Sequence, residues 1–388
     1  MLVFDFDIPT KILFGAGKID ELKKAKLPGK TAMVVVSNGG AIRKNGTLDK
    51  VLDSLKRQEI EYLIYDKIGQ NPTLGTVMEA AQISRDNFCS FVLGVGGGSV
   101  VDAAKAIALM TRNRGNLWDY MMTGSGKGLP LKSRALPIIA VPTTAGAGSE
   151  ANPWAVITNE RVQEKIAFGN NSTFPMLSVV DPDLTKSVPP FLTALQGLDS
   201  FYRAVQGFVA KKATPVSDVF ALKTLSIIAS DLESVVADGE NGDLRANISL
   251  ASMLSGFVSS LSSVTSLCAL ADAMSAYHPE LPHGAAQVML AVPYFTFFAK
   301  ILPEKLCAMS EAMGIPSEGD PLRFVETIGR LHEKCRVTGL KMSDYGIKAD
   351  DMEMLARNAY RTMSNLFAMD RYPLSLKETV GIFEKAFK

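Results

Sequence analysis

Cysteine is scarce in this 388-residue chain, and the four present (Cys89, Cys268, Cys307 and Cys335) stand far apart with no CxxC pair. That spacing excludes a disulfide framework. Charge of one sign is lacking too. The 41 Lys+Arg against 40 Asp+Glu leave a formal charge of +1, which excludes the basic or acidic bias that would point to nucleic acid or a lipid surface. Histidine is limited to His278, His283 and His332, so a site built from several imidazoles has little to draw on. One charge-free run, Ile248 to Ala271, is long enough to cross a bilayer. Its eight serines and one threonine, and the absence of an aromatic or basic anchor before Asp272, instead predict a helix buried inside a helical domain. Its small residues predict close helix–helix contact. The opening MLVFDFDIPTK places Asp5 and Asp7 where a secretory leader carries Lys or Arg. A cytoplasmic protein with no membrane and no nucleic-acid partner is therefore expected.

Apolar residues make up 47% of the chain, with 19 Phe and 9 Tyr. That supplies a real core and rules out disorder, and the length predicts two or three domains. Up to about residue 184, short β-rich runs alternate with helical patterns. TAMVVVS (31–37), EYLIYD (61–66), FVLGVG (91–96), LPIIAVP (136–142) and LSVVDP (177–182) read as strands. Several are apolar almost without interruption, which means burial on both faces, as in a parallel sheet. Helical stretches at Gly46–Gln58, Thr73–Asp86 and Ser99–Met110 lie between them. After Pro189-Pro190 the β-branched runs disappear and long helical periodicity takes over. The reading is an α/β domain with a Rossmann-like parallel sheet, residues 1–184, then an all-α domain, residues 185–388. The cleft between them is the expected site.

Two loops carry chemistry. Gly94-Val95-Gly96-Gly97-Gly98-Ser99-Val100-Val101-Asp102 follows a predicted strand and precedes a predicted helix. Three consecutive glycines let backbone N–H groups close on an anion at a helix N-terminus, so a pyrophosphate fits there. The spacing is not GxGxxG. A plain turn with a capping box, Ser99 as N-cap and Asp102 at N3, reads the same residues without a ligand. The second loop, Pro142-Thr143-Thr144-Ala145-Gly146-Ala147-Gly148-Ser149-Glu150, offers hydroxyls and exposed amides at a strand's carboxyl end.

GGGSxxDxxK and PTTAGxGSE at this separation, after PTKILFGAG (9–17), resemble the iron-containing alcohol dehydrogenase family. DPDLTKSVPP (181–190), GLDSFYRAV (197–205) and SAYHPELPHG (275–284) match it in order, so the resemblance spans essentially the whole chain. It implies an NAD(P)-dependent oxidoreductase with an α/β nucleotide-binding domain, a helical domain and a divalent metal, iron or zinc, between them. It further implies that Gly96, Gly97, Gly98 and Ser99 hold the pyrophosphate and that Asn71, Thr143, Thr144 and Ser149 lie along the cofactor. Asp102 and Lys165 would lie near the nicotinamide end. A homodimer joined through the N-terminal strands is also implied.

Asn38, at the end of the second strand, occupies the position where many NAD-using members carry Asp. Without a carboxylate to repel a 2′-phosphate, and with Arg43 and Lys44 close in sequence, the reading leans to NADP over NAD. The metal positions depart from the family pattern. Asp199 matches the first ligand, but the position four residues on is Arg203, a permanent cation with no acceptor. His283 matches the last ligand, and Cys268 stands where a further His is expected, unless a one-residue insertion is placed differently, when Ala269 and Ala273 take this position and that of Asp272. Asp272 falls where the family places a His near the reacting carbon. Asp199, Cys268 and His283 then make a three-ligand O/S/N alternative. Otherwise Arg203 replaces the metal's charge, or simply forms an i,i+4 salt bridge with Asp199. Metal binding is expected to be weak or absent. Arg203, as electrophile, and Asp272, as proton relay, are the catalytic candidates. The expected function is hydride transfer between nicotinamide and an aldehyde or alcohol, with an acidic substrate raised by Arg203. The alternative is an inactive relative that keeps the nucleotide cleft for binding or assembly.

Overall fold

A computed structural model describes residues 4–387. The first half builds a six-stranded, wholly parallel sheet in the order β1-β8-β5-β4-β2-β3. In chain order its early elements are β1 (Lys11–Phe14), β2 (Thr31–Ser37), α1 (Ala41–Lys44), α2 (Thr47–Arg57) and β3 (Glu61–Ile68). They are followed by α3 (Leu74–Asp86), β4 (Phe91–Gly96), α4 (Gly98–Arg112) and β5 (Ile138–Pro142). An antiparallel hairpin, β6 (Ala155–Asn159) and β7 (Glu164–Phe168), stands outside the sheet, and β8 (Leu177–Val180) returns to it.

The two-residue period of β2 explains why both faces are covered. Met33 and Val35 point into a core shared with α3 and α4, while Ala32, Val34 and Val36 point into the opposite core with α2. All five are fully buried. Strand order reverses between β2 and β4, since the chain proceeds outward to β3 on one side and to β5 on the other. A ligand crevice is expected at the carboxyl ends of these two strands. Two of the quoted motifs, around residues 9–17 and 181–184, serve the scaffold. The Asp181 carboxylate accepts from Gly17 N–H at 3.1 Å and Ile19 N–H at 3.0 Å, tying the chain after β1 to the end of β8.

The second half is helical: α5 (Pro190–Val209), α6 (Pro215–Ala237), α7 (Gly242–Leu261), α8 (Ser266–Tyr277) and α9 (His283–Phe298). It continues with α10 (Pro303–Ala312), α11 (Leu322–Lys334), α12 (Met352–Phe367) and α13 (Leu376–Ala386). The charge-free run is not one helix. It belongs to α7 and α8, which meet at 108° across Ser262–Thr265. Sequence periodicity missed this bend because serines at the break are as compatible with helix as their neighbours. Among the described residues no single helix is long and apolar enough to cross a membrane. The small residues act in two ways. Gly207 of α5 admits Val258 of α7, as expected, since a Cβ on Gly207 would lie 2.0 Å from that side chain. Gly256 instead admits the second glycine loop, for a Cβ there would come within 2.3 Å of the Gly148 carbonyl oxygen.

Candidate functional site

At the switch point a cleft of about 480 Å³ is lined by the end of β2 (Ser37, Asn38, Gly39), the α4 N-terminus (Gly97–Ser99) and Thr144, Gly146 and Ala147 of the second loop. Helices α5, α8 and α9 close its other side with Asp199, Arg203, Cys268, Asp272 and His283. A second hollow of about 530 Å³ opens between Tyr277 and α12, lined mostly by charged side chains and with neither glycine loop on its wall.

The glycine loop is shaped for close approach. The N-cap of α4 is Gly97, with no side chain capping the helix. The expected capping box does not form, because the helix begins one residue earlier than Ser99 and both side chains are engaged elsewhere. Ser99 Oγ donates to the Gln70 carbonyl oxygen, and Asp102 Oδ2 accepts from Val156 N–H at 3.0 Å. The positive end of α4 therefore faces the cleft without an internal anion. A Cβ on Gly98 would sit 2.6 Å from Ala147 Cβ, so the two loops close on each other only with glycine there. This uncapped terminus, where Gly97 and Gly98 present backbone and no side chain to the cleft, fits a dinucleotide's pyrophosphate.

The other expected cofactor residues divide into two groups. Asn38, Asn71, Gly97, Gly98, Ser99, Asp102, Thr144 and Lys165 line the cleft, whereas Gly96, Thr143 and Ser149 stand behind its wall. Thr143 N–H donates to the Gly96 carbonyl oxygen at 3.0 Å, joining the ends of β4 and β5. Lys165 reaches the cleft, but its donors are spent: on Asp272 Oδ1 at 2.9 Å, Ser275 Oγ at 2.9 Å and Asn71 Oδ1 at 3.0 Å. Asn71 in turn donates to the Pro279 carbonyl oxygen at 2.7 Å. Lys165 and Asn71 thus stitch the hairpin and the β3–α3 loop to α8.

Beneath the floor lies a buried charge cluster that the sequence reading passed over, although Lys105 closes the GGGSxxDxxK motif. Lys105 Nζ donates to the Trp154 carbonyl oxygen at 2.6 Å and lies 3.8 Å from Asp102 Oδ1. Burial pulls its ammonium down to about 8, against the attraction of Asp102. Burial likewise pushes Asp102 up and Glu150 up to about 7. These groups support the loop from below.

On the helical side, Asp199 and Arg203 form the anticipated i,i+4 pair, with Nε 3.2 Å from Oδ1, but inside the cleft rather than on a solvated face. Burial opposes the guanidinium's charge, and neighbouring acids, Asp199 foremost, hold it in place. His283 lies between two carboxylates: Nδ1 is 3.3 Å from Asp272 Oδ1 and Nε2 is 3.8 Å from Asp199 Oδ1. Asp272, the residue expected as proton relay, is held as a carboxylate beside His283. Burial disfavours its charge, but Lys165 and His283 outweigh burial and hold the carboxyl well below its ordinary range. It stays ionised as an acceptor. Phe201 and Tyr202 are core, not pocket, residues.

Iron or zinc, implied by the resemblance but expected to bind weakly or not at all, meets no three-ligand set among the described residues. Cys268 Sγ donates to Asp272 Oδ2 at 3.5 Å, and burial foremost, with Asp272 beside it, raises the thiol's pKa. Asp272 is bound to Lys165, and Asp199 faces Arg203. Among the described residues no three His, Cys, Asp or Glu side chains are placed to hold an ion. The Asp199–Cys268–His283 alternative is therefore not assembled, although all three line one cleft.

Comparison with known proteins covers both halves. Residues 9–182 match the family described as iron-containing alcohol dehydrogenase, and residues 193–387 match its C-terminal counterpart, the Fe-containing alcohol dehydrogenase family, C-terminal. The choline dehydrogenase of Bacillus subtilis is 32% identical over 92% of this chain and 89% of its own. The 1,3-propanediol dehydrogenase of Citrobacter freundii is 30% identical over 99% of both. Among solved structures, an archaeal halo-thermophilic alcohol dehydrogenase from a Red Sea brine pool superposes with a TM-score of 0.94 at 28% identity, covering all of both chains. A 1,3-propanediol oxidoreductase superposes with 0.89 at 29% over the same coverage.

Proposed function

The chain belongs to the iron-containing alcohol dehydrogenase family, and from that premise we propose that it moves a hydride between a nicotinamide dinucleotide and a small aldehyde or alcohol. The observation that carries this reading is one cleft holding both an uncapped glycine-rich helix terminus and, opposite it, Arg203, His283 and Asp199. The nicotinamide, when bound, supplies or accepts the hydride. The α4 terminus binds the cofactor's pyrophosphate, and the Lys165–Asp272–Asn71 clasp fixes the wall against which the nicotinamide end lies. The carbonyl oxygen points to the polar groups of α5 and α9. Relatives named as NAD-dependent methanol dehydrogenase and NADH-dependent butanol dehydrogenase support the activity and do not favour an inactive relative.

NADP(H) is the preferred cofactor in this proposal, because Asn38 lines the cleft at the end of β2 without a carboxylate's repulsion. Arg43 contributes less than its position promises, for its guanidinium already donates to Asp66 at 2.9 Å. We further propose that a metal is held weakly, substoichiometrically or not at all, and that the protein is a cytoplasmic homodimer. The open outer edge of β1, beside exposed Phe4 and Phe6, supports the dimer. The nucleotide-holding half comprises residues 1–184 and the helical half 185–388. Following NADPH and NADH absorbance against a panel of small aldehydes tests the function. Nucleotide binding without any turnover would overturn it.

A further inference from the structure

We infer that Arg203 takes the metal's place in this enzyme: its guanidinium, not a divalent cation, polarises the carbonyl oxygen during reduction. The inference rests on the hydride transfer proposed above and concerns how it is made possible.

Three observations lead to it. Arg203 lines the cleft one helical turn after Asp199, together with His283, Cys268 and Asp272. Its side chain is only 15% exposed; its Nε is ion-paired with Asp199 Oδ1 at 3.2 Å without the geometry of a hydrogen bond, and among the described residues no acceptor is hydrogen-bonded to the rest of the guanidinium. A guanidinium has five donors and no acceptor, so the group is prepared to give hydrogen bonds to an oxygen that is not part of the protein. Asp199 faces Arg203 and Asp272 is paired with Lys165 at 2.9 Å, so each carboxylate already has a protein cation and a dication would stand beside the fixed charge of Arg203. Asp199 Oδ1, Asp272 Oδ1 and both His283 ring nitrogens are also buried without a hydrogen-bond partner, but among the described residues no three ligands are placed to hold an ion.

In reduction, the carbonyl carbon gains the hydride from the reduced nicotinamide, forming a C–H bond. The C=O π pair moves onto oxygen, and the growing negative charge is met by the Arg203 N–H groups. The alkoxide then takes a proton from a water in the cleft, and the hydroxide left behind is reprotonated from bulk solvent. The aldehyde is reduced and the nicotinamide oxidised, one hydride and one proton per turnover. Arginine gives hydrogen bonds here and does not itself lose a proton.

The test combines metal analysis with Arg203 variants of the full-length protein. Elemental analysis of protein purified without chelator, and calorimetric titration with Zn²⁺ or Fe²⁺ alone, should show no stoichiometric metal, and chelator should leave turnover unchanged. One tightly held metal per chain, or chelator-sensitive activity, would overturn the inference while the proposed function stands. Arg203→Gln should lower kcat by about 10²–10³ with nucleotide binding retained, and Arg203→Lys, which keeps the charge, should lose less. Guanidinium chloride added to Arg203→Ala should restore part of kcat, which a merely structural role would not allow. Unchanged kcat in folded Arg203→Gln, or a loss confined to KM for aldehydes bearing a carboxylate, would refute carbonyl polarisation. In the latter case Arg203 would anchor the substrate's acidic group. If the wild-type protein binds nucleotide but reduces no aldehyde, the proposed function fails first and this inference with it.

Discussion

Replacing Lys165 by methionine strips the buried Asp272 carboxylate of its cation while nearly preserving side-chain length. The two groups are 2.9 Å apart, with side chains 5% and 2% exposed. At an effective dielectric of about 20 the lost attraction is about 6 kcal/mol. Relief from desolvating the ammonium offsets part of it, so the net cost should be about 3–5 kcal/mol. The loss includes the bonds to Asn71 and Ser275, and with them the tie between the hairpin and α8. Lys165→Met/Asp272→Asn removes both charges and should recover at least about 1–2 kcal/mol of the summed single costs, since residues in contact do not contribute additively. Urea unfolding measures Lys165→Met, Asp272→Asn and the double variant without the ionic screening of guanidinium. A Lys165→Met cost below about 1 kcal/mol, or a double variant costing the sum of the singles, would refute the clasp as an energetic unit.

Gly97→Asp places a carboxylate at the α4 terminus, its Cβ 3.1 Å from Thr144 Oγ1. It should weaken NAD(P)H binding by about 100-fold or more through repulsion of the pyrophosphate; cofactor-fluorescence titration checks this. Asn38→Asp should shift preference toward NADH by roughly tenfold, read as the ratio of kcat/KM values; an unchanged ratio would remove Asn38 from cofactor selection. Asp370 supplies a pH dependence. Burial pushes its carboxyl up to about 6, against bonds from Ser266 and Tyr294, so the folded state holds the proton more tightly than the unfolded one. Its contribution to stability is present at acid pH and lost as pH rises through about 6, on the order of 3 kcal/mol. Asp370→Asn should flatten this fall in urea midpoints measured from pH 4.5 to 8.

Local pattern alone located most of the scaffold. Continuous apolar runs such as Ala32–Val36 can be buried only between two layers, so the parallel sheet and the site at its carboxyl ends were legible from residue order. The glycine loop was legible because its spacing, strand before and helix after, is itself the geometry of an anion site. The cleft's electrostatics depended on long-range contacts. The partner of Asp272 could not be read from the sequence, for Lys165 lies 107 positions earlier on a separate hairpin and reaches it at 2.9 Å only in the fold. Lys105 looked like an ordinary helix residue until the fold enclosed it. Arg203 and Asp199 were adjacent on one helical face in the sequence. Whether that pair stood on a solvated face or inside a cleft turned on what faced it, and only the packing of α8 and α9 across from α5 decided that, because burial and the approach of His283 are properties of three chain segments and of none alone.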